Sequence, residues 1–175
     1  NATGILINPG HTSNLTIAAN ITVTDDYTAT DTKNVGDAVL DGPFATGTGR
    51  YGIHSMGATP FIGNVGVTSA STIKVEGNNS YGIAFDNKVQ GNFSYDGTIT
   101  MEGDNNAGIA LKDGVTGSTY ISGVINTHGN NSSAVQLGGD FGGSVEIDGS
   151  FTTTGYATIT SVTAAQLKAI LTTPE

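Results

Sequence analysis

Apolar residues in this chain recur at two spacings. Over short stretches they alternate with small polar ones, as in Ile83-Ala84-Phe85, Phe93-Ser94-Tyr95 and Ile99-Thr100-Met101. This is the two-residue period of a strand, which sends successive side chains to opposite faces. Over long stretches whole columns return every 26 residues: Ile83, Ile109 and Val135; Phe85, Leu111 and Leu137; Val89, Val115 and Phe141; Tyr95, Ile121 and Ile147; Ile99, Ile125 and Phe151. The triplets Gly77-Asn78-Asn79, Gly103-Asp104-Asn105 and Gly129-Asn130-Asn131 open each repeat in the same register. A unit of this size cannot bury its apolar face alone, so a repeat of this period predicts stacked units, a solenoid. Gly91, Gly117 and Gly143 stand before the second strand of each unit, and Gly97, Gly123 and Gly149 between the second and third. Corners that need positive φ or close packing explain glycine there. The predicted fold is therefore all-β: a right-handed parallel β-helix (β-solenoid) of about 26 residues per rung, each rung made of three short strands and three turns. A left-handed hexapeptide solenoid would show a six-residue beat, and the chain has none.

The N-terminal part follows the same rule once its offsets are found. Ile5, Ile7, Leu15, Ile17, Ile21 and Val23 stand 78 residues, three repeats, before Ile83, Phe85, Phe93, Tyr95, Ile99 and Met101. In the next rung Tyr51-Gly52-Ile53 matches Tyr81-Gly82-Ile83, and two corners each hold two extra residues, between Ile53 and Phe61 and between Val67 and Ile73. The surplus between the first two rungs falls in residues 25–46, which lack alternation, are rich in Asp and end in Asp41-Gly42-Pro43, a turn signal. They are expected to project as a loop. From Thr163 the run Thr-Ala-Ala-Gln-Leu-Lys-Ala-Ile-Leu carries a helix N-cap and a Leu167, Ile170, Leu171 stripe, with Pro174 beyond it. The expected organisation is a stem at 1–158 with its loop at 25–46, then a cap or linker at 159–175 with a short helix.

Composition narrows the partners. Charged residues are 12% of the chain, about half the usual share, so Thr, Ser, Asn and Gly carry the polar surface. The net charge of −9, with only six Lys and Arg, opposes binding to nucleic acid or an anionic membrane. Cysteine is absent, which leaves no disulfide framework and no thiolate metal site. No apolar run approaches the roughly 20 residues of a membrane span, and no signal peptide opens the chain. The start at Asn1 is expected to be that of a mature or truncated chain.

Gly-Arg-Tyr-Gly-Ile at 49–53, Asp-Asp-Tyr-Thr at 25–28, Asp-Gly-Pro-Phe at 41–44 and the repeated Gly-Asn-Asn-Ser together resemble autotransporter passenger domains of the sphingomonad-like, alphaproteobacterial type. The resemblance covers roughly residues 1 to 158. It implies export across the outer membrane of a Gram-negative bacterium and display at or beyond the cell surface. Attachment would run through a C-terminal β-barrel that these residues do not include, so the chain is expected to be part of a longer precursor. Relatives of this type carry a loop richer in alternating Asp, resembling a calcium-binding run. Here Lys33 and Val35 interrupt Asp31, Asn34, Gly36 and Asp37.

Candidate chemistry is sparse. Glu76, Glu102 and His128 share one column, which puts the two carboxylates about one strand spacing, roughly 4.8 Å, apart. A retaining glycosidase holds its carboxyls about 5 to 5.5 Å apart. Any two residues one period apart acquire such a spacing, however, and no Arg or Lys cluster is expected around this column. A second column holds Asp96, Ser122 and Asp148. Asn79, Asn105 and Asn131 form the most regular polar column, read as a structural ladder of side-chain amides. His11, His54 and His128 fall on different rungs without metal-ligand spacing and are read as surface residues. Calcium is the one cofactor considered, through Asp31, Asn34, Asp37 and Asp41 as oxygen ligands, although the Asp-x-Asp-x-Asp-Gly order and a bidentate Glu are lacking. Asn-x-Ser/Thr triplets at Asn1, Asn14, Asn20, Asn78, Asn92, Asn130 and Asn131 match the glycosylation pattern at a frequency that chance supplies in so Asn- and Thr-rich a chain. The expected function is a structural or adhesive surface solenoid, not an enzyme, acting by contact with other copies of itself or with surface and matrix polymers. The alternative is a polysaccharide-active β-helix enzyme, lyase- or glycosidase-like.

Overall fold

A computed structural model of the chain describes residues 1–25 and 42–155. These form a β-solenoid in which every strand pair is parallel. The first rung holds β1 (Thr3–Ile7), β2 (Leu15–Ile17) and β3 (Asn20–Val23). The second holds β4 (Tyr51–Ser55), β5 (Phe61–Ile62), β6 (Val65–Val67) and β7 (Thr72–Glu76). The third holds β8 (Tyr81–Phe85), β9 (Val89–Gln90), β10 (Phe93–Tyr95) and β11 (Thr98–Glu102). β12 (Ala107–Leu111), β13 (Gly114–Val115) and β14 (Thr119–His128) make the fourth; β15 (Ser133–Leu137), β16 (Asp140–Phe141) and β17 (Val145–Thr154) make the fifth. The first strands of all five rungs stack as one sheet, in the order β1-β4-β8-β12-β15.

The predicted register holds throughout. Ile83 pairs with Ile53 on one side and Ile109 on the other, and Ile109 with Val135. Phe61 lies opposite Val89, and Ile73 opposite both Ile21 and Ile99, so the extra residues of the second rung sit in corners as expected. Ile5 pairs with Ile53 across the 25–46 surplus.

Two details differ from the three-strand rung. The Val89, Val115, Phe141 column forms a fourth strand of two residues, stacked as β5-β9-β13-β16. Two residues are too few to show alternation, so the sequence pattern hides it. In the last two rungs the second and third strands merge, and β14 and β17 run unbroken through Gly123 and Gly149. Those glycines bend a strand rather than end it. Among the described residues there is no helix. The expected helix at 163–171, most of the 25–46 loop and the stem boundary at 158 lie outside the described residues.

The core is a stack of like side chains. Ile53, Ile83 and Ile109 are fully buried, as are Ile73, Ile99 and Ile125. Phe85 meets Phe61 and Phe93 edge-on, at centroid distances of 5.8 and 6.0 Å. Each such burial contributes about 1.5–3 kcal/mol of transfer free energy. Gly82 lets the opposing sheet come close: a Cβ there would stand 2.9 Å from Ile99 Cγ2 and 2.6 Å from the Gly108 carbonyl oxygen.

Candidate functional site

The Glu76, Glu102, His128 column is in register as expected, Glu102 pairing with Glu76 and with His128. Contrary to expectation, cations surround it. Lys74 Nζ lies 2.7 Å from Glu76 Oε1 and 3.8 Å from Glu102 Oε1. Lys74 is two residues from Glu76 on β7, so alternation puts both on one face, and this signal was present in the sequence. Arg50 donates from Nη1 to the Glu76 and Thr24 carbonyl oxygens, at 2.8 Å each. Burial pushes the Glu76 carboxyl up, but the Lys74 ammonium and the Asp25 N–H outweigh it and hold Glu76 below the ordinary carboxylate value. Lys74 is raised, chiefly by its bond to Glu76. A general acid for glycoside cleavage needs a carboxyl raised toward neutrality. Glu76 is shifted the other way, which does not suit it to the general-acid role.

Arg50 also closes the base of the 25–46 segment. Its Nη2 pairs with Asp25 Oδ1 at 2.6 Å, while Asp25 Oδ2 accepts from the N–H groups of Thr46 and Gly47 at 2.5 and 2.7 Å. Burial raises the Asp25 carboxyl, but these donors and the Arg50 charge together hold it below its ordinary value. The two ends of the surplus are thus clamped together at the stem. The calcium candidates Asp31, Asn34, Asp37 and Asp41 lie outside the described residues. Among the described residues no three acidic, His or Cys side chains group so as to hold a metal ion.

A second cluster stands on the outward face of the first-strand sheet, where His54 pairs in register with Ala84. The His54 ring stacks on Tyr51 at 3.9 Å, and Tyr51 on Tyr81 at 5.3 Å. Lys112 Nζ lies 4.6 Å over the Tyr81 ring. Asp86 joins the two ends, 2.8 Å from His54 Nε2 and 2.7 Å from Lys112 Nζ. His54 is therefore largely covered rather than a free surface residue, and Ala84 and Ala110 are buried although alternation turns them outward. The repeat aligns Tyr51 with Tyr81 and Asp86 with Lys112, but sequence reasoning missed the cluster because the contacts of His54 with Tyr51 and Asp86 follow no repeat. His11 and His128 are exposed; His11 stacks on Phe61 at 5.7 Å and His128 lies 6.3 Å from the Phe44 ring. In the Asp96, Ser122, Asp148 column, Ser122 Oγ donates to Asp96 Oδ1 and to the Tyr95 carbonyl oxygen, at 2.9 and 3.1 Å.

Asn79, Asn105 and Asn131 all adopt left-handed backbone conformations, with φ of 50°, 57° and 55°. Their side chains are exposed, and no side-chain hydrogen bond links them among the described residues. Their backbone N–H groups bond to the next rung, Asn79 to the Asp104 and Asn105 to the Asn130 carbonyl oxygen, while the side-chain bonds between rungs run through their neighbours. Asp104 N–H donates to Asn78 Oδ1 and Asn130 N–H to Asp104 Oδ1, at 2.7 and 2.8 Å. On the other flank Arg50 N–H donates to Ser80 Oγ, Ser80 N–H to Asn106 Oδ1 and Asn106 N–H to Ser132 Oγ. Asn is the non-glycine residue best suited to positive φ, and the reversal it makes turns both flanking residues along the stack.

Among the described residues no further rung covers the fifth. Leu137, Val145 and Ile147 occupy inward columns yet are 40%, 41% and 46% exposed. Among the described residues β15, β16 and β17 each pair on one side only. No family model, curated protein or solved structure matches the chain.

Proposed function

We propose that the protein is a surface-displayed stem of the autotransporter-passenger type that works by contact, its copies associating with one another or with surrounding polymer rather than turning over a substrate. The observation that carries this reading is the fifth rung, where, among the described residues, apolar side chains of the inward columns are exposed and each strand pairs on one side only. A strand edge of this kind is a template for further pairing, and apolar layers favour stacking of a further rung. The ion pair of Glu76 with Lys74 supports the same reading, because it holds Glu76 away from the raised carboxyl that a general acid needs.

Sedimentation velocity across a concentration series, at low and at high salt, tests the proposal. Association is expected to rise with concentration and to persist in high salt, since screening weakens exposed ion pairs but not backbone pairing or apolar contact. Material that stays monomeric at high concentration and cleaves a polysaccharide would overturn it in favour of a β-helix enzyme.

A further inference from the structure

The outward face of the second-strand stack carries a groove of about 380 Å³ that neither the core nor the open rung explains. Its floor is the column Thr16, Gly66, Ser94 on β2, β6 and β10, paired in register. One wall is a ladder of asparagines: Asn64 N–H donates to Asn14 Oδ1 at 2.9 Å, Asn92 N–H to Asn64 Oδ1 at 2.8 Å, and Ser118 N–H to Asn92 Oδ1 at 2.8 Å. Each oxygen is engaged by a backbone donor, which settles the orientation of all three amides. Their Nδ2 groups are left without a partner among the described residues, and all three side chains are exposed. The result is a row of hydrogen-bond donors repeating at the strand spacing, about 4.8 Å.

Gly66 holds the groove open, and the fold does not require a glycine there. At most corners and at Gly52, Gly82 and Gly108 an added Cβ would run into backbone or core atoms nearer than 3.0 Å. At Gly66 the nearest atom would be Ser94 Oγ at 3.4 Å, an ordinary contact, and the backbone is a plain strand. A Cβ would fit there, and its absence leaves a notch. One rung further along the same column stands Tyr120, 40% exposed, paired with Ser94.

We propose that this groove binds an uncharged, hydroxyl-rich glycan chain lying along the stem axis. Sugar hydroxyls would accept from the Nδ2 row and exchange hydrogen bonds with Thr16 and Ser94, while the Tyr120 ring offers a platform for the apolar face of one sugar. The lining holds no charged side chain, Glu146 stands next to Tyr120 in the column, and the chain carries −9, so a polyanionic glycan is disfavoured. An added peptide strand is excluded across the middle of this face because β6 and β10 are paired on both sides, which leaves only the outer edge of β2, at the end of the groove, open to pairing. The inference rests on the contact reading above and supplies the chemistry of the polymer contacted, on a face separate from the fifth rung.

The test is amide NMR titration of the chain with cellohexaose, xylohexaose and mannohexaose, with hexagalacturonate as the charged comparison. At least one neutral oligosaccharide is expected to shift the side-chain NH2 signals of Asn14, Asn64 and Asn92 and the Tyr120 ring. Gly66→Tyr, which fills the notch, should abolish the shifts. Asn64→Asp keeps the acceptor for Asn92 N–H but removes the free donor, and should weaken binding about tenfold, the scale of one hydrogen bond. Ile147→Asp, which spoils the open rung, should leave binding unchanged even where it reduces association, so the two readings can fail separately. Absence of shifts with every neutral oligosaccharide, shifts only with hexagalacturonate, or equal binding by Gly66→Tyr would each overturn the proposal.

Discussion

The fourth and fifth rungs carry the same apolar columns and live in different environments. Ile109 and Val135 share a column, as do Leu111 and Leu137, and Ile121 and Ile147. In the fourth rung these positions are at most 1% exposed, whereas Leu137 and Ile147 are 40% and 46% exposed. Nothing local distinguishes them. An inward side chain in a solenoid is covered by the rung before it and the rung after it, so burial belongs to the stack and not to the strand. The fourth rung has both neighbours; among the described residues the fifth has one. The apolar pattern of the fifth rung is that of a layer with a neighbour on both sides, and its exposure among the described residues is the feature from which function by contact is argued.

Charge substitution should break the comparison most sharply. Ile109→Asp puts a carboxylate into a dry stack and should cost more than about 4 kcal/mol or prevent folding, whereas Ile147→Asp should cost less than about 1 kcal/mol in the dilute monomer. Denaturant melts of both variants check this, and equal losses would show that the fifth rung is as buried as the fourth. Truncation gives a gentler version. Leu111→Ala should lose about 2–4 kcal/mol through transfer and cavity terms, and Leu137→Ala less than about 1.5 kcal/mol.

The corner asparagines sharpen the comparison in another way, because their geometry is the same wherever the rung sits. With φ at 57° and an exposed side chain, Asn105→Val should lose about 1–2 kcal/mol while Asn105→Gly stays near neutral. A glycine variant as unstable as the valine one would restore the amide-ladder reading of this column. The smallest effect is expected from acid. Burial raises the Asp86 carboxyl, but Lys112 and His54 together hold it below its ordinary value of 3.8. The folded state therefore binds this proton more weakly than the unfolded chain does. The stabilisation is complete above the unfolded value and fades as pH falls from about 5 toward 2, through the lower folded value. Asp86→Asn should flatten that limb of the thermal stability curve; an unchanged limb would show that the ion pairs of the inner rungs contribute nothing there.

Much of the fold was legible because a solenoid writes its tertiary contacts as a sequence period. Residues 26 apart are neighbours in space, so the columns of Ile83, Phe93 and Ile99 could be assigned to the core from the chain alone, and so could the two-residue corrections in the second rung. What stayed hidden depends on contacts at other offsets. The two-residue strand of Val89 and Gln90 is too short to carry a period. The clamp of Asp25 on Arg50, Thr46 and Gly47, and the contacts of His54 with Tyr51 and Asp86, join residues that no repeat relates. Lys74 beside Glu76 was readable, since alternation alone places both on one face.

By itself the sequence determined the rung length, the register, the inward columns and the positions of the corners, because each follows from a two-residue alternation nested in a 26-residue repeat. The tertiary structure alone decided which layers are covered, which of three adjacent corner residues carry the side-chain bonds between rungs, and where the outer face is left hollow. Those outcomes turn on the presence of a neighbour above, on the direction a side chain takes after a left-handed residue, and on the volume that one absent side chain, at Gly66, leaves open.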